Sequence, residues 1–214
     1  MIKKCICILL CLLLLKGDSL MNFYKNIKQV TNPSSFIVLV NKNNRLDKGY
    51  IPKDLEKIDI QYAFDDKYMR REAKNAFESL SSKAKEEGYR VVATSTYRSY
   101  DYQEKLYNHY VEEKGLEYAD LCSARKGHSE HQTGLAVDVE GSNEDYDEFE
   151  KAKEFPWMIE NAHKYGFILR YPKNKTNITG FKYEPWHYRY VGKEVAKEIH
   201  EKKITLEEYV KSIS

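Results

Sequence analysis

Outside residues 1–19 this chain has one cysteine, Cys122, so no internal disulfide can hold it and a packed core must. Its 214 residues, 42% of them hydrophobic, provide for one substantial domain and a short attachment. Cys122 reads as a half-buried structural thiol rather than a nucleophile. The other cysteines, Cys5, Cys7 and Cys11, sit in an apolar run from Cys5 to Leu15. Lys3 and Lys4 precede that run and Lys16-Gly17-Asp18-Ser19 ends it. A basic start, a short apolar stretch and small residues after it mark residues 1–19 as a signal peptide or an uncleaved N-terminal anchor. A bilayer span takes about 20 apolar residues, which favours the signal peptide. Lipoprotein processing at Cys11 is disfavoured by Leu9 and Leu10, where small residues are wanted. The expectation is an exported protein of the cell envelope or the exterior, touching a membrane only through that segment.

Charge argues against one class of partner. The formal net charge is +2, and without residues 1–19, which carry Lys3, Lys4, Lys16 and Asp18, it is zero. Both signs are interspersed, which leaves no basic footprint for nucleic acid and argues against bulk disorder. A monomer is expected.

Residues 20–35 are polar, carry the breaker cluster Asn32-Pro33-Ser34-Ser35, and read as a linker to a domain over 36–214. Phe36 to Val40 is a short β-prone run and predicts a strand; 41–55 reads as loop. From Met69 to Glu87, Ala73, Ala76, Phe77, Leu80 and Ala84 recur at helical spacing, and Gly88 stops that helix. The pattern then predicts a strand over 89–96 and a helix from Ser99 or Tyr100 to Lys114, stopped by Gly115. A strand over 135–139, a helix over 155–165 capped by Gly166, and strands over 167–171 and 186–191 follow. Helices near 193–201 and 205–212 come last. The elements mix without strict βαβ alternation, so the expected class is α+β, a small, mainly antiparallel sheet flanked by helices.

The chemistry concentrates in Ser129-Glu130-His131-Gln132-Thr133-Gly134-Leu135-Ala136-Val137-Asp138. On a strand over 135–139, Ala136 and Asp138 share one face while Leu135, Val137 and Val139 share the other. The apolar face can pack while Asp138 projects from the opposite side, and a turn at Gly134 lets His131 fold back towards it. An imidazole and a carboxylate on one wall suit a borderline cation such as zinc, which in catalytic sites takes three protein ligands and a water. Glu184-Pro185-Trp186-His187 offers a third ligand in His187. In an ideal strand Glu184 and His187 face opposite ways, and a bend at Pro185 would bring both to one site. At this level His128 competes, because its spacing from His131 also suits a ligand pair.

These motifs, with Asn161-Ala162, Tyr165-Gly166-Phe167-Ile168-Leu169-Arg170-Tyr171-Pro172, Ile178-Thr179-Gly180 and the continuation Tyr188-Arg189-Tyr190-Val191-Gly192, resemble the VanY-type D-Ala-D-Ala carboxypeptidases and their L,D-carboxypeptidase relatives. Leu39-Val40-Asn41-Lys42, Tyr97-Arg98-Ser99, Gln103 and Leu106-Tyr107 look like the same family, so the likeness runs over about 36–192. It implies a hedgehog/D-Ala-D-Ala-peptidase-like fold and a zinc carboxypeptidase domain acting on peptidoglycan stem peptides. His131, Asp138 and His187 match its ligands to one Zn2+ ion, and Glu184 its general base. Arg98 matches the arginine that holds substrate near the scissile bond, while Gln103 and Ser129 fall where relatives contact the peptide. His128 is not a ligand in that pattern. Arg125-Lys126-Gly127-His128 is a more basic approach to the motif than many relatives have. The implied reaction is removal of the terminal D-Ala from D-Ala-D-Ala stems. The alternatives are L,D-carboxypeptidase action on tetrapeptide stems, a lysin-type endopeptidase, or a non-catalytic wall-binding module.

Overall fold

The computed structural model describes residues 23–142 and 146–214; the leader over 1–19 lies outside the described residues. Along the chain run β1 (Lys28–Gln29), β2 (Asn44–Arg45), β3 (Leu55–Lys57), β4 (Tyr68–Arg70), α1 (Arg71–Glu86), β5 (Val92–Ser95), α2 (Tyr100–Lys114) and α3 (Leu116–Cys122). Then come β6 (Ala136–Glu140), α4 (Glu154–Asn161), β7 (Phe167–Leu169), α5 (Thr176–Thr179), β8 (His187–Tyr190), α6 (Lys193–Lys202) and α7 (Leu206–Ser212). The architecture is α+β, as the pattern implies.

The central sheet has the order β5-β6-β8-β7, every neighbouring pair antiparallel. Alternation along β6 divides its faces. Val137 and Val139, with Leu135 just before the strand, are wholly buried in the main core with Tyr188 and Tyr190 of β8. The stripe on α1 covers that core through Ala73, Phe77, Leu80 and Ala84. Asp138 and His187 leave the opposite face. α2 starts where a capping serine puts it, with Ser99 Oγ accepting from the Tyr102 amide. A second cluster of Ile168, Val191, Ala196, Ile199, Leu206 and Tyr209 seats α6 and α7.

Phe36–Val40 is not a strand. The segment lies between the two clusters, Val38 and Val40 in the first and Ile37 and Leu39 against the second, which accounts for apolar residues on both sides. Its carbonyls find an arginine instead of a ladder: Arg189 Nη2 donates to Phe36 O at 3.0 Å and Val38 O at 2.9 Å. From Phe23 onward the stretch read as a linker lies against the domain. β1 pairs in parallel with β2, and the Arg125 guanidinium sits 4.1 Å over the Tyr24 ring. Gly115 ends α2 and also starts α3, a helix that the sequence pattern does not announce. The helix expected over 155–165 is α4 followed by a 3-10 turn, Ala162–Tyr165, before Gly166. No helix among the described residues is long and apolar enough to cross a membrane.

Candidate metal centre

The β6–β8 ladder sets Asp138 directly opposite His187, so both side chains rise from one face of the sheet. His131 arrives from a 3-10 turn, Glu130–Thr133, that ends at Gly134 with φ +67°. The backbone angle there favours glycine, and a Cβ would also press on Leu55 Cδ2 at 2.8 Å and Arg70 Cγ at 3.1 Å, so those side chains would have to give way. The Glu184 end is bent as Pro185 implies: the His187 amide donates back to Glu184 O at 3.2 Å. Ligand atoms of His131, Asp138 and His187 all lie within 4.8 Å of one another, the one such group among the described residues.

The donor set fits a zinc-like dication: two imidazoles and a carboxylate, all buried, on the wall of a cleft. Each ring is aimed. His131 Nδ1 bonds Thr96 O at 2.6 Å, which sends Nε2 to Asp138 Oδ2 at 3.3 Å. His187 is turned the other way, with Nδ1 2.9 Å from Asp138 Oδ1 and Nε2 facing Glu130 Oε2 at 3.6 Å. A ligand histidine whose second nitrogen is held by a carbonyl, as His131 is by Thr96, is the usual construction of such sites.

The electrostatics follow from burial and charge. Burial pushes Glu184 up to about 7, with the Asp138 carboxylate adding to the rise and His187 opposing it. Burial and the Arg98 cation push His131 down to about 4. Burial would lower His187, but its contacts with Asp138 and Glu130 raise it to about 9. Burial likewise would raise Asp138, yet His131, His187 and Arg98 hold it well below the carboxylate range. Glu184 Oε2 lies 3.8 Å from His187 Nδ1, beside the ligand set.

Arg98 leans over the same carboxylate. Its Nη2 donates to Asp138 Oδ2 at 2.7 Å and its Nε to Ser95 Oγ at 2.9 Å. Gln103 and Ser129 line the cleft. The Gln103 amide nitrogen is fixed by Ser123 Oγ and Ala124 O, and its Oε1 is buried without a partner. Ser129 caps the turn, its Oγ accepting from the His131 amide at 3.3 Å. His128 stands apart, Nδ1 on Asn41 O at 2.8 Å. The basic approach is neutralised, Arg125 by Asp120 and Lys126 by Glu104. Cys122 is half-buried on the cleft wall, its thiol pushed up by burial.

Glu130, Arg170 and Arg189 also lie inside the motifs, though neither pattern nor resemblance assigns them a role. They form a fully buried cluster: Glu130 Oε1 accepts from Arg170 Nε at 2.8 Å and Arg189 Nη1 at 2.6 Å. Three charged residues beside aromatic and ligand positions were the available signal, since such side chains stay buried only when paired.

A family model described as VanY, D-alanyl-D-alanine carboxypeptidase, matches residues 66–193. The putative carboxypeptidase YodJ of Bacillus subtilis is 42% identical over 194 residues, which cover 87% of this chain and 71% of that protein. The LdcB LD-carboxypeptidase, solved in a study of peptidoglycan recognition, superposes with a TM-score of 0.81 at 43% identity, over 87% of this chain and 91% of that one. The D,D-pentapeptidase VanY of a VanB-type vancomycin-resistance cassette, in complex with Zn(II), gives 0.70 at 33% identity, over 81% and 98%. With the family model spanning more than half of it and the fold shared along nearly the whole domain, this chain belongs to the VanY D-alanyl-D-alanine carboxypeptidase family.

Proposed function

We propose that this chain is a zinc-dependent D-alanyl-D-alanine carboxypeptidase that trims the terminal D-Ala from peptidoglycan stem peptides. In this reading His131, Asp138 and His187 hold one zinc ion, Glu184 is the general base, Arg98 grips substrate, and Gln103 and Ser129 line its path. The observation that carries it is the convergence of the three ligand atoms within 4.8 Å of one another beside a buried glutamate. The likeness to a VanY solved with Zn(II) supports the choice of metal.

Bound zinc supplies Lewis-acid activation of water and of the scissile carbonyl. Glu184 takes the proton of the attacking water and returns it to the departing amine, a role worth roughly 10²–10⁴-fold. The Arg98 guanidinium, anchored by Ser95 and Asp138, donates to the carbonyl oxygen as charge grows on it; one such donor is worth about 3–4 kcal/mol. Gln103, on the cleft wall with its Oε1 buried and unpartnered, would offer that oxygen as an acceptor to an amide of the peptide. An exported location, with the leader over 1–19 removed or retained, matches a substrate that lies outside the membrane.

The likeness to LdcB favours a second reading, L,D-carboxypeptidase action on tetrapeptide stems with the same metal and base. Incubating zinc-loaded protein with defined pentapeptide and tetrapeptide stems, then weighing the products, separates the two. Loss of one alanine from the pentapeptide is expected. Trimming of the tetrapeptide alone would move the assignment to L,D action, and no cleavage of either would refute both.

A further inference from the structure

Two buried polar atoms beside the metal centre face each other without a hydrogen-bond partner: Glu130 Oε2 and His187 Nε2, 3.6 Å apart. Glu130 is 2% exposed and His187 4%, so bulk water serves neither. The chemistry of the centre decides which proton joins them. His187 presents Nδ1 to Asp138 Oδ1 at 2.9 Å and to Glu184 Oε2 at 3.8 Å, which makes Nδ1 the nitrogen on the side of the ligand set. A neutral imidazole that gives Nδ1 to a cation carries its one proton on Nε2. That proton points at Glu130.

The carboxylate is itself locked. Oε1 accepts from Arg170 and Arg189, and Arg170 is gripped on its far side by Glu207 of α7 at 2.9 and 2.7 Å. Two acids and two guanidiniums balance one another, and the free oxygen of Glu130 is left directed at His187. A role confined to holding the arginines would place no demand on Oε2. His131 has the matching device, with Thr96 O behind its Nδ1.

Resting on the zinc reading above, we infer that Glu130 is a positioning residue of the metal centre: its Oε2 accepts the Nε2 proton of His187 and so fixes the tautomer that leaves Nδ1 to zinc. Glu130→Gln is the informative change, because the amide keeps the shape and alters the donors. The arginines claim the amide oxygen, which turns the NH2 towards His187 Nε2. A donor there asks Nε2 to accept, which moves the ring proton to Nδ1 and sets it against the metal.

Zinc affinity, measured by competition with a chromophoric chelator, is expected to fall roughly 10- to 100-fold in Glu130→Gln. Glu154→Gln is the control. Glu154 is equally buried but bonds the Arg90 amide and Ser142, and its loss is expected to lower the unfolding temperature and leave zinc affinity unchanged. Long-range 1H–15N spectra of the zinc-loaded wild type test the tautomer without any substitution, and decide if Glu130→Gln does not fold. They are expected to place the His187 proton on Nε2 and the His131 proton on Nδ1. A wild type without stoichiometric zinc would sink the zinc reading itself. A zinc-loaded wild type with unchanged affinity in Glu130→Gln, an equal loss in Glu154→Gln, or a His187 proton on Nδ1 would overturn the inference alone.

Discussion

Gly134→Ala tests whether the turn before β6 builds the metal centre. The glycine sits at φ +67°, where an L-residue costs about 1–2 kcal/mol. An added Cβ also meets Leu55 Cδ2 at 2.8 Å and Arg70 Cγ at 3.1 Å, and overpacking of this kind adds about 1–3 kcal/mol. Together these lower the unfolding temperature by roughly 4–20 °C for a domain of this size. Gly88→Ala separates the two causes, since φ there is +84° with nothing within 4 Å of the new carbon. It should carry only the backbone cost, roughly 2–8 °C. Thermal unfolding should be followed by circular dichroism on zinc-free samples, because bound metal would mask part of the loss. Gly134 ends the turn that carries His131, so Gly134→Ala should bind zinc about tenfold more weakly or worse, and Gly88→Ala as the wild type does. Equal behaviour of the two variants in both assays would refute the reasoning.

Glu184→Ala should keep one equivalent of zinc and lose roughly 10²–10⁴-fold in turnover; undiminished hydrolysis would remove Glu184 as the base. His187→Ala should lose stoichiometric zinc, and metal analysis finding one equivalent would contradict the ligand set. Lys42, buried among Phe23, Tyr24 and Phe181, is pushed by burial down to about 8, with Asp120 opposing. Its ordinary value is about 10.5, so between these pH values the unfolded chain binds more protons and stability rises with pH. Relative to Lys42→Met, the wild type should gain up to about 3 kcal/mol from about pH 7 to about pH 10, and a flat difference in denaturant titrations would refute this.

What was legible in the sequence was local or strictly alternating. The alternation over 135–139 assigned both faces of β6, the stripe of α1 announced its buried side, and Pro185 announced the bend that brings Glu184 and His187 together. What was not legible depended on partners distant in the chain. Phe36–Val40 has strand composition, but its carbonyls are taken by Arg189, about 150 residues on. Residues 23–35 are polar enough to pass for a linker until Tyr24 is seen under the Arg125 guanidinium. Glu130 looks like an ordinary surface acid beside a histidine, and only its burial against Arg170 and Arg189 tells otherwise.

The direct opposition of Asp138 and His187 has a bearing on misfolding. Were β8 to slide by a single residue, Tyr188 or Trp186 would stand across from Asp138 and the imidazole would be driven into the apolar interior. A slipped molecule could then neither pack its sheet nor capture an ion, and no half-competent population would exist between the two outcomes. Zinc bound per mole of protein would therefore serve as a tally of correctly aligned molecules in any preparation.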